Sequence, residues 1–87
     1  MNDENLNVFT KKGFELGSKL NKETITMLIN KFNGQVDDKE KVKSIKYDLI
    51  NLSVNKGVEL PINLFDDSRN VLGYLMGMNN GQIRTGK

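Results

Sequence analysis

Four stretches of this chain repeat their apolar residues at a period near 3.6, and residues that start or stop helices punctuate them. In the first, Leu6, Phe9, Gly13, Leu16, Gly17 and Leu20 fall within one stripe. The second opens at Asn21, an N-cap residue, and carries Ile25, Leu28, Ile29 and Phe32 to an Asn33-Gly34 stop. The third opens at Asp37, with Glu40 three residues on in a near capping box. It lines up Val42, Ile45, Leu49 and Leu52 and ends at Asn55-Lys56-Gly57. A link, Val58-Glu59-Leu60-Pro61, holds the only proline and reads as extended. Asp66 or Asp67 then caps a fourth helix that runs to about Met78.

This pattern predicts an all-α fold, a small bundle of about four helices over residues 1–78, with 79–87 as a flexible basic tail. A strand over Lys46 to Val54 is the alternative, because that segment partly alternates. The caps on either side favour the helix, and no hairpin turn follows. At 87 residues there is room for one domain. A chain of that size buries only about 60–65% of its unfolded surface, so it gains from added contacts.

The composition narrows the chemistry. Cysteine and histidine are both absent. Their absence removes a disulfide framework, thiolate metal sites, the usual general base near neutral pH and the commonest zinc ligand. Tryptophan and alanine are missing as well, while asparagine, lysine and isoleucine are frequent. That usage suits an AT-rich genome, such as a low-GC bacterium, its phages or its plasmids. The net charge is only +2. No apolar run is long enough to span a bilayer, and the acidic start, Met1-Asn2-Asp3-Glu4-Asn5, does not read as a signal peptide. The expected location is the cytoplasm.

Glycine costs about 1 kcal/mol in a helix interior, yet the fourth segment holds Gly73 and Gly77 four residues apart. On a helical wheel Leu64, Val71, Leu72, Leu75 and Met76 form an apolar arc sufficient to dock the helix on the other three. Gly73 and Gly77 lie almost opposite, flanked by Tyr74 and Met78. Paired glycines at this spacing let a second backbone approach closely. The expectation is therefore that Gly73, Tyr74, Gly77 and Met78 meet another chain and form a homo-oligomer. The plainer alternative is a helix that ends near Gly73. The first helix carries the same spacing at Gly13 and Gly17.

Lys39, Lys43 and Lys46 recur at i, i+4 and i+7 on the third helix and could track phosphates. With the second helix and the short link Asn33-Gly34-Gln35-Val36 they outline a helix-turn-helix. A recognition helix presents its N-terminal residues to the bases, however, and here those are Asp37, Asp38 and Glu40. The doublets Asp37-Asp38 and Asp66-Asp67 read as helix caps rather than metal ligands. No phosphate loop, nucleophile elbow or zinc-protease motif occurs.

These features point to a small protein that works by binding, without catalysis, cofactor or metal. The leading expectation is a regulator or inhibitor from a phage or mobile element, self-associating and engaging a protein partner. A DNA-binding regulator using the lysine row is second, and a structural or assembly protein shares the features of the first.

Overall fold

Local capping chemistry sets where the helices begin. The computed structural model describes residues 3–85, and side chains from 8 to 84. Helix α1 spans Asp3–Gly17, α2 Lys22–Asn33, α3 Asp38–Lys56 and α4 Ser68–Thr85, with a short 3-10 turn at Leu64–Asp66. The Asn21 side chain accepts from the Thr24 N–H at 2.8 Å. Asp37 Oδ2 accepts from the N–H groups of Lys39 and Glu40 at 3.1 and 3.2 Å. Of the two candidates at the fourth helix, Asp67 is the cap: its Oδ1 accepts from the Arg69 N–H at 2.9 Å, and its own carbonyl starts the helical ladder. At the far end of α3, Gly57 takes the left-handed conformation (φ 68°) that closes a helix and strains any residue with a Cβ.

The protein is all-α, with no strand among the described residues. Residues 46–54 lie inside α3, where Ile45, Leu49 and Ser53 turn inward at helical spacing. The α3 helix is tied to α2 at two points. Lys31 pairs with Asp48, and Lys41 Nζ donates to the Phe32 carbonyl at 3.2 Å while lying 5.1 Å from the Phe32 ring centre. One core runs through all four helices, from Phe9 and Leu16 through Ile25, Leu28, Phe32, Ile45 and Leu49 to Leu64, Val71, Leu75 and Met78. The radius of gyration, 11.8 Å, is close to the roughly 12 Å of a compact domain this long.

The main departure from the sequence reading lies between the first and last helices. A Cβ at Gly13 would overlap the Tyr74 carbonyl oxygen, and one at Gly17 the Met78 carbonyl oxygen. In return, Gly77 sits against the Thr10 backbone and Gly81 against that of Phe14. Partner numbers rise together on the two helices, so α1 and α4 run parallel. Their backbones meet without intervening side chains, as small residues at four-residue spacing permit. The face assigned to a second chain is thus covered by α1 of the same chain. Tyr74 and Met78 are each 0% exposed, and Gly73 and Gly77 are buried.

Helix α4 also continues past Met78 to Thr85, through residues expected to be a flexible tail. Gly81 and Gln82 are buried there, which anchors the added turns. The tail positions 86–87 lie outside the described residues, as does the side chain of Leu6.

Candidate interaction face

With α1 seated on its glycines, α4 exposes part of the arc expected to lie in the core. Val71 and Leu75 are buried, but Leu72 is 44% and Met76 58% exposed; Ile83, in the stretch expected to be a flexible tail, is 62% exposed on the same helix. The physical cause is direct. The helix must present its glycines to α1, and that rotation carries Leu72 and Met76 out into solvent. The other exposed residues between them, Asn79 and Asn80, are uncharged. From Asn70 to Ile83 this helix carries no charge at all, with Arg69 before the stretch and Arg84 after it.

A groove of about 150 Å³ runs between this stripe and α2, lined by Ile29, Phe32 and Asn33 on one side and Leu72, Leu75, Met76, Asn79 and Asn80 on the other. Its apolar floor comes from the core residues Phe32 and Leu75, and its rim from Met76 and the asparagine side chains. A volume of this order accommodates one large aliphatic or aromatic side chain. Large apolar residues are exposed elsewhere too, at Val36, Tyr47, Val54 and Ile62, and single ones are normal on a protein surface; Leu72 and Met76 differ in lying together beside a groove.

The lysine row faces a different cleft, of about 440 Å³, between α3 and the start of α4. Lys39, Lys43 and Lys46 all line it, but so do Asp38, Asp66 and Asp67. Lys46 Nζ lies 5.7 Å from the Phe65 ring centre, which holds its ammonium against the chain's own aromatic. The carboxylates interleaved with these lysines lower the field a phosphate backbone would meet. Asp67 is held below the usual carboxylate range, first by its side-chain hydrogen bond with Arg69 and then by the Arg69 N–H, so it stays ionised.

Among the described residues no group of three or more acidic side chains is placed to hold a metal ion. No helix among them is long and apolar enough to cross a membrane. The only buried side-chain polar atom without a hydrogen-bond partner there is the Tyr74 hydroxyl. Of the arc that periodicity places in the core, Leu64, Val71 and Leu75 are buried while Leu72 and Met76 are exposed, and the glycine face expected to be open is the one that α1 covers. The signal for that covering was present: Gly13 and Gly17 match the spacing of Gly73, Gly77 and Gly81, so the chain carries both halves of one interface. No family model, curated protein or solved structure matches this chain.

Proposed function

We propose that this protein is a non-catalytic protein-binding module, acting as a regulator or inhibitor by docking the α2–α4 face on another protein. The observation that carries this reading is the uncharged exposed row Leu72, Met76, Asn79, Asn80 and Ile83 beside the Ile29 groove. Leaving such a row in water forgoes about 25 cal/mol for each Å² of apolar surface, which a partner recovers on binding. Methionine suits the role, since its flexible thioether adapts to the shape of a partner. Self-association through the paired glycines is not part of the proposal, because α1 already fills that face.

The test is a photo-crosslinking residue placed at Met76, with Asn51 on α3 as an exposed control. In the source cell, position 76 should capture one protein species reproducibly, lost on adding Leu72→Glu, while position 51 captures none of it. Equal capture at both positions, or none at 76, rejects this face.

A further inference from the structure

The charges around the groove say what kind of chain it takes. On α4 the apolar row is bracketed by Arg69 and Arg84, fifteen residues and about 22 Å apart along the helix. On α2 the row that includes Ile29 reads Lys22, Thr26, Ile29 and Asn33 at helical spacing. No charged side chain lines the groove itself, and the charges that bracket the row on α4, Arg69 and Arg84, are both positive, although the chain has 11 acidic residues. Arg69 is engaged by Asp67, yet its side chain remains 83% exposed and open to a further acceptor. Arg84 forms no salt bridge among the described residues.

From this pattern we infer that the α2–α4 groove binds an amphipathic helix with an apolar stripe and acidic residues flanking it, contributed by a different protein. This inference rests on the docking reading above and adds the chemistry of the partner. The apolar row from Leu72 to Ile83 is about 16.5 Å long, or three helical turns, and the groove between α2 and α4 takes one anchoring side chain in the helix-in-groove manner. Carboxylates near either end of the bound helix meet Arg69 and Arg84, and arginine offers them bidentate hydrogen bonds. A second copy of this chain fits less well. Pairing two α4 helices antiparallel over the apolar row brings Arg69 of each close to Arg84 of the other, and parallel pairing sets each arginine near its counterpart. Like charges then meet at both ends.

The experiment uses a displayed library of amphipathic helices about 18 residues long, with a fixed apolar stripe and randomised polar positions. It is selected on the immobilised full chain at physiological salt, and on the variants Arg69→Glu/Arg84→Glu and Met76→Glu, each checked by circular dichroism for unchanged helix content. The wild type should enrich helices with glutamate and aspartate at the flanks. The double arginine variant should bind those helices at least tenfold more weakly and enrich lysine-flanked ones instead. Met76→Glu should enrich neither. Enrichment without acidic bias, lost with Met76→Glu, overturns the acidic partner and leaves the docking face standing. No enrichment on the wild type, or the same enrichment on Met76→Glu, overturns both. Dimerisation of the wild type in sedimentation that Met76→Glu abolishes makes a second copy the occupant and also overturns the inference.

Discussion

Gly77 lies so close to Thr10 that a Cβ on it would overlap the Thr10 carbonyl oxygen, and 63 positions separate Thr10 from Gly73, whose carbonyl accepts from the Thr10 hydroxyl at 3.5 Å. The two ends of the chain are thus locked backbone to backbone. That contact decides which face of α4 is buried, and so which face is left to bind.

Glycine-to-alanine changes along this seam should therefore separate cleanly. At Gly13, Gly17, Gly77 or Gly81 the added methyl meets backbone, which cannot swing aside. Overpacking costs about 1–3 kcal/mol, and the helix-propensity gain of about 1 kcal/mol offsets only part of it. At Gly73 the nearest heavy atoms are 3.8 Å and 3.9 Å away, on Thr10 and Phe9 side chains, so there is room. Gly73→Ala should hold or raise the melting temperature while Gly77→Ala lowers it. Equal effects at the two positions would show that the seam is not close-packed.

Tyr74 supplies a pH test. Its ring fills the core, but its hydroxyl finds no partner among the described residues. Desolvation, and then the charge of Glu15, push the phenol well above its ordinary value of 10. An acid whose pKa is raised by folding stabilises the fold fully below its unfolded pKa, and that contribution is lost as pH climbs from there. Above pH 10 the wild type should lose up to about 1.4 kcal/mol per pH unit relative to Tyr74→Phe. Below pH 9 the variant should be as stable or more so, since it removes an unsatisfied hydroxyl. A clear loss of stability in Tyr74→Phe at neutral pH would mean that the hydroxyl has a partner.

Caps were legible because their chemistry is local. Asn21, Asp37 and Asp67 each satisfy N–H groups two or three residues away, within reach of sequence reasoning. Asp37→Ala should cost about 0.5–2 kcal/mol, or roughly 4–8 °C in melting temperature for each kcal/mol. An unchanged melt would remove the cap. The helices α2 and α3 were legible for the same reason, bounded by caps and glycines. Periodicity alone does not say which helix meets which face. Leu72 and Met76 have the right spacing for the core and lie outside it, because α1 claims the opposite side.

The lysine row should prove dispensable for fold and weak toward nucleic acid. Changing Lys39, Lys43 and Lys46 to glutamine removes three charges from a cleft that also contains three aspartates. Stability should change by no more than about 0.5 kcal/mol for such surface positions. Duplex DNA should not be held at sub-micromolar affinity in physiological salt. Tight, salt-dependent binding that this triple change weakens would restore the DNA-binding alternative.

The end of α4 offers the sharpest contrast between sequence and structure. Residues 79–84 carry only one strongly apolar side chain, Ile83, and that one is exposed, so no periodic signal marks them as part of the fold. What holds them is small size rather than hydrophobicity: Gly81 seats against the Phe14 backbone, and Gln82 is buried beside it in sequence. Truncating the chain after Met78 would remove a flexible tail at no cost if sequence periodicity were the whole account. The structure predicts otherwise, because α1 would lose its last contact with α4 and the Met78 carbonyl its helical turn. The truncated chain should melt lower by several degrees, about 1–3 kcal/mol. A shorter truncation, after Thr85, should leave the melt unchanged and serves as the control. If both truncations melt like the full chain, the glycine seam ends at Gly77, and the α4 face available to a partner is shorter by the turn that carries Ile83.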